Sequence, residues 1–502
     1  MSKLRIVTAA SLFDGHDAAI NVIRRLIQAQ GVEVIHLGHN RSVDDVVRAA
    51  IQEDADAIAL SSYQGGHMEY FRYMLQLLQE YGAGHIKVFG GGGGTITLEE
   101  IEELESAGVA RIYHPAHGME MGLVGMIEDL VATVSADKES PNKAAPIKTP
   151  ASNDSSSQPL CKKNETQIAQ MITAIEGGAI PSTEMAQLKA EWAQVADQTP
   201  VIGITGTGGA GKSSIVDELL DRFLQHRPEM QIAVLAVDPT RRRTGGALLG
   251  DRIRMNSLAS PNIYMRSMAT RRQHLATSEM LGDVTLFLKA QGYDLVVVET
   301  AGIGQSDSEI VDMVDLSLYI MTSDYGAASQ LEKIDMIDYA DMIVLNKFDK
   351  RGAKDALRDI RKQWKRNHNA FGLFEKDLPV SPAIASQFND PGLNRVFQQL
   401  CGLLGEKQLL NISIQDDDIK SIDVGDDLPI SMALIPQNRI RYLAEISEQG
   451  RKISQQNKEQ AALASKAYQC YQVLASIGDE KLPNAIELFD ATELCNQTES
   501  GE

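Results

Sequence analysis

The stretch at residues 201–214 reads VIGITGTGGAGKSS. Its first four residues are mostly β-branched and predict a buried parallel strand. Residues 206–213 fit the pattern G-x-x-x-x-G-K-[ST] at every fixed position, and the apolar spacing over 215–223 predicts a helix. Such a loop between strand and helix lets backbone amides hold phosphates at the positive end of the helix. The stretch therefore predicts a P-loop within an α/β fold.

Each fixed position of this loop has a predicted role. Lys212 is placed to contact the β- and γ-phosphates and to act in catalysis, and Ser213 can offer its hydroxyl to Mg²⁺. Four further residues are predicted to surround the phosphates with their backbone: Gly208, Gly209, Ala210 and Gly211. A glycine-rich turn that fits the pattern by chance is the alternative, and the flanking strand and helix argue against it.

The composition limits the classes of function. A chain of 502 residues is long enough for two to four domains, and its net charge of −20 argues against nucleic-acid binding. The first residues lack the apolar core of a signal peptide, and no apolar run reaches the length of a membrane span. The cysteines have no paired spacing, which predicts a cytoplasmic protein without disulfides or a zinc site: Cys161, Cys401, Cys470 and Cys495.

Residues 1–135 predict a first domain of alternating strands and helices. Strands are expected at 4–9, 32–37, 57–61, 86–89 and 111–113, and helices near 17–29, 43–53, 67–80, 97–106 and 118–134. Such alternation predicts a parallel sheet of flavodoxin-like type, with ligands at the carboxyl ends of its strands. Three unusual loops fall at that edge, at 14–19, 61–67 and 90–94.

The first of these loops carries Asp14-Gly15-His16. A histidine near an aspartate on such a loop can be a metal ligand whose second nitrogen is held by the carboxylate. The five glycines at 90–94 remove side chains where something lies against the backbone. An ordinary surface loop on a flavodoxin-like domain without cofactor remains the alternative.

This domain resembles the cobalamin-binding domain of adenosylcobalamin-dependent acyl-CoA mutases and methionine synthase, whose signature is D-x-H-x-x-G, S-x-L and G-G. The resemblance implies that His16 is the lower axial cobalt ligand and that Asp14 orients it. It also implies a slot for the displaced nucleotide tail, lined by Ser61, Gly91 and Gly92. Two positions depart from the signature: Ala19 stands for the motif glycine and Tyr63 for the leucine.

Residues 136–164 predict a flexible linker, and 165–410 predict the nucleotide-binding domain, which opens with a helical pattern over 165–196. A strand over 232–237 ends in Asp238, a carboxylate placed to hold Mg²⁺. The motif at 244–255 adds Asp251 for Mg²⁺ and Arg254 for a phosphate, although both could be ordinary surface charges. A strand over 294–298 ends in Glu299, where P-loop proteins usually carry aspartate, and Gly302 follows as a donor to the γ-phosphate.

The strand at 342–345 ends in Asn346-Lys347-Phe348-Asp349. In an N-K-x-D motif the last carboxylate accepts hydrogen bonds from N1 and the 2-amino group of guanine. Adenine offers neither donor, so the motif predicts GTP rather than ATP. The segment at 381–385 could close over the base, but it departs from the usual S-A-x form and is left unassigned.

These motifs resemble the GTPase chaperones of methylmalonyl-CoA mutase. By that resemblance Arg254 contacts the nucleotide, and Glu299 takes part in hydrolysis. The implied Mg²⁺ shell is drawn from Ser213, Val237, Asp238, Asp251, Glu299 and Thr300. A water-activating residue is not assigned; Gln305 is the nearest candidate.

Residues 411–502 predict an acidic linker, 415–427, and a helical arm over 438–477 that either packs on the GTPase or docks a partner. The domain order resembles that of fused isobutyryl-CoA mutases, which continue into a (β/α)₈ barrel that binds the acyl-CoA. The resemblance implies a cobalamin-binding GTPase component, in which GTP hydrolysis gates cofactor loading or protection and which isomerises acyl-CoA only with such a barrel. We expect a homodimer, and no nucleic acid or membrane partner. A cobalamin-responsive regulatory GTPase is the alternative.

Overall fold

The structure, a computed structural model, describes residues 3–15, 17–138, 164–196, 199–240, 244–270, 274–300, 307–325, 328–410, 412 and 442–478. The chain divides into two compact units, Met1–Leu428 and Pro429–Glu502. The predicted linker beyond Lys138 and the acidic stretch at 415–427 lie outside the described residues.

The first unit contains a six-stranded parallel sheet. Its strands are β1 (Arg5–Ser11), β2 (Glu33–Arg41), β3 (Ala57–Ser61), β4 (Lys87–Gly91), β5 (Arg111–Tyr113) and β8 (Ala247–Leu249). They lie in the order β5-β4-β3-β1-β2-β8. The first five strands show the 2-1-3-4-5 order of flavodoxin-like folds, so the predicted fold class is confirmed.

Five helices connect these strands. They are α1 (Asp17–Ala29), α2 (Val43–Gln52), α3 (His67–Glu80), α4 (Leu98–Ala107) and α5 (Pro115–Lys138). A capping box begins α2, because the Ser42 hydroxyl accepts from the Asp45 amide at 3.1 Å while the Asp45 carboxylate accepts from the Ser42 amide. The last helix is interrupted at Gly122, whose φ is 70°.

Strand β8 is supplied by the second half of the chain. It pairs with β2 in the register Glu33–Ala247, Val34–Leu248 and Ile35–Leu249. The close approach requires glycine at 246, because a Cβ there would lie 2.2 Å from the carbonyl oxygen of Gln28. The motif at 244–255 was expected only as part of the nucleotide site. It is also the edge of the first sheet.

A second parallel sheet of seven strands belongs to the same unit. Its strands are β6 (Val201–Gly206), β7 (Ile232–Pro239), β9 (Ile263–Thr270), β10 (Leu295–Thr300), β11 (Leu316–Met321), β12 (Met342–Leu345) and β13 (Val380–Pro382). They lie in the order β13-β12-β11-β6-β10-β7-β9. The strand that precedes the P-loop is therefore central, and its carboxyl end lies among those of its neighbours.

Helices cover the second sheet. They are α6 (Glu165–Gly177), α7 (Ser182–Val195), α8 (Lys212–His226), α9 (His274–Ala290), α10 (Met336–Tyr339), α11 (Ala353–Asn367) and α12 (Pro391–Glu406). The single helical pattern expected over 165–196 is two helices, since Gly178 ends the first with a φ of 61° and Pro181 precedes the second.

The second unit contains α13 (Tyr442–Ile477), which agrees with the helix expected over 438–477. Two of the apolar residues behind that prediction, Ile446 and Ile453, are exposed by 52% and 48%. Within the described residues, no helix combines the length and the apolar character that crossing a membrane requires.

Candidate functional site

The phosphate loop lies between β6 and α8, as predicted. Gly206 and Gly211 have φ values of 151° and 91°, which disfavour residues with a side chain. A Cβ at Gly211 would lie 2.4 Å from the amide nitrogen of Asn346. Glycine at this position therefore lets the loop pack directly against the N-K-x-D segment.

Lys212 lies along the inside of this loop. Its ammonium donates to the carbonyl oxygens of Gly206 at 2.8 Å and Thr207 at 3.3 Å. These contacts hold the charge beside the amides that curl around the phosphates, where it can stabilise charge on transferring oxygens.

Acidic side chains surround the Ser213 hydroxyl. The hydroxyl is 2.9 Å from Oε1 of Glu299 and 3.3 Å from Oδ1 of Asp251. Glu299 is only 4% exposed, and its second oxygen is buried without a hydrogen-bond partner among the residues that the structure describes. A buried carboxylate oxygen that lacks a partner suits a cation or a water in its shell.

Burial raises the pKa of two of these carboxyl groups. The pKa of Asp238 rises to about 8, first through burial and then through the neighbouring Asp251 and Glu299. The pKa of Glu299 rises to about 7 through burial and the charge of Asp251, although its hydrogen bond with Ser213 acts in the opposite direction. A divalent cation would relieve this repulsion and displace the protons.

No three His, Cys, Asp or Glu side chains in the described part of the chain converge closely enough to hold a metal alone. Magnesium at a phosphate site commonly takes one or two carboxylates, with phosphate oxygens and waters completing the octahedron. The remaining predicted ligands, Val237 and Thr300, are paired across β7 and β10 at the same edge of the sheet. The residues therefore fit Mg²⁺ with a bound nucleotide.

Arg254 lies in a 3-10 turn, Asp251–Arg254, beside this acidic group. Its guanidinium is 3.9 Å from Asp251, and its side chain is 63% exposed. An exposed arginine beside this acidic group has room to contact a nucleotide, and its assignment to the nucleotide stays a prediction.

The base end is built around Asn346. Its amide donates to the carbonyl of Ala210 at 2.7 Å and accepts from the amide of Ala385 at 3.0 Å. Lys347, with a φ of 59°, donates to the carbonyl of Gly209 at 2.7 Å, and Asp349 is exposed. The sequence left the segment at 381–385 unassigned. It runs from β13 into the loop beyond it, and only this position could have indicated the contact.

At the first sheet, Asp14 is 2% exposed and its carboxylate accepts from the backbone amide of Tyr63 at 2.8 Å. The hydrogen bond joins two of the three unusual loops. His16 lies outside the described residues, so its assignment to cobalt stays a prediction.

A cavity of about 300 Å³ opens between the sheet and α1 and α5. Its lining includes the predicted Ser61, Gly91 and Gly92, and also both departures from the signature, Ala19 and Tyr63. The Ser61 hydroxyl is buried and has no hydrogen-bond partner within the described part of the chain. A narrow slot with bare backbone and an unused hydroxyl fits a nucleotide tail.

The fold and the two sites define a P-loop GTPase joined to a flavodoxin-like, cobalamin-binding domain. The family model for the B12 binding domain matches residues 4–124, and the model for the methylmalonyl Co-A mutase-associated GTPase MeaB matches residues 168–396. A putative GTPase of Pyrococcus horikoshii is 35% identical over 45% of this chain and 72% of its own length. The chain belongs to this family of GTPases.

Longer relatives share both domains. Fused isobutyryl-CoA mutases of Cupriavidus metallidurans and Geobacillus kaustophilus are 49% and 47% identical over 93% of this chain. The chain spans 41% and 42% of their respective lengths. These matches confirm the predicted resemblance, the GTPase and the cobalamin cofactor.

Proposed function

We propose that this chain is the cofactor-handling part of an acyl-CoA mutase of the isobutyryl-CoA type. In this proposal GTP hydrolysis gates the loading of intact adenosylcobalamin or the removal of damaged cofactor. Adenosylcobalamin supplies the radical chemistry when bound. The relatives named as fused isobutyryl-CoA mutases, and the B12 and GTPase models that together match most of the chain, support this assignment.

The observation that carries the proposal is the sharing of β8 between the two functions. This strand completes the sheet of the cobalamin-binding domain, and it ends two residues before Asp251 of the acidic group. If Asp251 moves when the bound nucleotide changes, the movement therefore acts on β8, which is hydrogen-bonded to β2. A direct connection of this kind is what gating of a cofactor by GTP requires.

The proposed role of each side chain in the GTPase follows from its position in the site. Lys212 neutralises the β,γ-phosphates. The side chains that hold Mg²⁺ are Ser213, Asp238, Asp251 and Glu299. Glu299 anchors the Ser213 hydroxyl and responds to the γ-phosphate together with the backbone at 302. At the first sheet, Asp14 orients the loop that carries His16, and Ser61 with the bare glycine backbone receives the nucleotide tail.

The partners follow from the same assignment. The acyl-CoA would bind to a (β/α)₈ barrel, which the described residues do not contain, and the assembly would be a homodimer. Two described cysteines, Cys401 and Cys470, are free thiols. Free thiols, together with GTP as the substrate, support the proposal that the protein acts in the reducing cytoplasm.

A titration with adenosylcobalamin, followed by visible absorption with and without GTP, tests the proposal. We expect a shift to the base-off, histidine-ligated form, its loss in His16→Ala, and a midpoint that depends on the nucleotide. Addition of a mutase barrel in trans should then restore isomerisation. If the chain binds cobalamin tightly but its partner protein is not an acyl-CoA enzyme, a cobalamin-responsive regulatory GTPase is favoured instead.

A further inference from the structure

Eight charged side chains are buried together where the cobalamin-binding domain meets the GTPase. We refer to them as the interdomain ion cluster; none is more than 8% exposed at the side chain. Four are acids and four are arginines, so the formal charges balance. The members are Arg5, Glu33, Arg48, Glu53, Glu165, Glu176, Arg252 and Arg266.

Glu53 is the member that contacts both β9 and the turn Asp251–Arg254 of the GTPase. It follows α2 directly, is fully buried, and accepts from Arg5 at 3.3 Å and from Arg252 at 2.7 Å. Both its oxygens also accept from the backbone amide of Ser267, at 3.0 and 3.1 Å. One carboxylate of the first domain therefore holds β9 and the turn Asp251–Arg254 of the second.

Arg252 is held in two places by consecutive residues of the first domain. Its Nε donates to Glu53, and one of its terminal nitrogens donates to the side-chain oxygen of Gln52 at 2.8 Å. The planar guanidinium fork fixes orientation as well as distance. Arg252 is the neighbour of Asp251, and β8, which precedes the turn, is itself hydrogen-bonded to β2.

We propose that Glu53, supported by Gln52, is a positioning residue for the Mg²⁺ site of the GTPase. The proposal deepens the function proposed above and rests on its Mg²⁺ site. Asp251 lies 3.3 Å from the Ser213 hydroxyl, and the turn that carries it is held on its other side, through Arg252, by Glu53 and Gln52. The GTPase site is thus assembled in part by residues outside the GTPase domain.

Loss of the Glu53 charge should disturb the Mg²⁺ site because no other group can take the place of this carboxylate beside Arg252. The carboxylate and the guanidinium are both buried, so water cannot readily replace either partner. Without the negative charge, the buried Arg252 keeps its hydrogen bonds to Gln52 and to the Met265 carbonyl but loses its ionic partner, so its orientation is less firmly fixed. The preceding residue, Asp251, is the proposed Mg²⁺ ligand, so a shift of Arg252 displaces that ligand. Loss of an outer-shell partner typically lowers metal affinity or activity about 10–100-fold.

The cluster offers a matched control. Glu176 on α6 is 1% exposed and pairs with Arg5 and Arg266, at 3.2 and 2.7 Å, while Glu53 pairs with Arg252. Removal of the Glu176 charge also leaves buried arginine poorly compensated. If the cluster only stabilises the fold, removal of either charge should lower stability and should affect the Mg²⁺ requirement equally.

The experiment compares the full chain with Glu53→Gln and Glu176→Gln. Three quantities are measured: the urea midpoint, the affinity for GDP without Mg²⁺, and the Mg²⁺ concentration that half-saturates GTP hydrolysis. We expect both variants to lose stability and both to keep GDP affinity. Only Glu53→Gln should raise the half-saturating Mg²⁺ concentration, by about tenfold or more.

An unchanged Mg²⁺ requirement in Glu53→Gln, or an equal increase in both variants, overturns the inference. Should Glu53→Gln not fold, Arg252→Lys replaces it under the same criteria, because one ammonium cannot reproduce the fork to Glu53 and Gln52. A wild-type chain without Mg²⁺-dependent hydrolysis overturns the proposed function instead, and with it the inference that rests on it.

Discussion

Gly92→Ala tests how closely β3 and the glycine run must approach to form the tail slot. A Cβ at this position would lie 2.0 Å from the carbonyl oxygen of Ser62 and 3.0 Å from the side chain of Ile96. Ordinary carbon–oxygen contacts are about 3.3 Å or longer, so the two segments would have to separate by more than about 1 Å. That separation strains the hydrogen bond from the Ser62 amide to the Gly91 carbonyl, which is 2.8 Å long.

The size of the effect follows from these contacts. Overpacking costs about 1–3 kcal/mol, and weakening of the hydrogen bond adds about 0.5–1.5 kcal/mol. Gly94→Ala is the control, since it lies in the same run and a Cβ there meets nothing within 4 Å. Both changes restrict the unfolded chain equally, so the difference between the two variants reports the contacts with Ser62 and Ile96.

Urea denaturation followed by circular dichroism, combined with an adenosylcobalamin titration, measures both consequences. We expect Gly92→Ala to be about 2–4 kcal/mol less stable than Gly94→Ala, and to bind the cofactor more weakly because the slot is displaced. Equal stability and equal cofactor binding for the two variants would refute the argument from close approach.

The other predictions concern the nucleotide site. Lys212→Ala should lower GTP hydrolysis by about 100-fold or more without shifting the urea midpoint, since it removes a positive charge from the phosphates; a filter-based phosphate assay measures this. Asp349→Ala should weaken GTP binding by about 10–100-fold and abolish the preference over ITP, because a charged hydrogen-bond acceptor is lost; competition calorimetry against ITP tests it. Mg²⁺ affinity should rise with pH through the pKa values of Glu299 and Asp238, about 7 and about 8, because the cation binds the deprotonated groups. Without Mg²⁺ the sign is opposite for stability: the folded chain retains protons that the unfolded chain loses near pH 4, so the free energy of unfolding should fall as pH rises toward 8.

The sequence pattern was sufficient to predict those strands and motifs whose signal lies within a few consecutive residues. The strands at 57–61, 111–113 and 342–345 have the bounds expected from their apolar runs. The P-loop and the N-K-x-D segment also lie where their flanking strands required. In each case the signal and the structure occupy the same few residues.

Pairings between distant segments could not be predicted in this way. Strand β8 is only three residues long, and the strand that it pairs with, β2, lies more than 200 residues earlier in the sequence. The acids and arginines of the interdomain ion cluster have the same appearance in a sequence as solvated surface charges. Burial distinguishes them, and burial depends on the docking of two domains.

The late origin of β8 has a consequence for the order in which the protein folds. Until residue 249 has been synthesised, β2 is an unprotected edge strand, and unprotected edges are sites of intermolecular pairing. Arg5 and Glu33, which are buried in the finished molecule, would meanwhile face water. The cobalamin-binding domain, although first along the chain, therefore completes its sheet only after the first strands of the GTPase domain, β6 and β7, have been synthesised. A pause in synthesis before β8 would leave the edge of β2 exposed to aggregation.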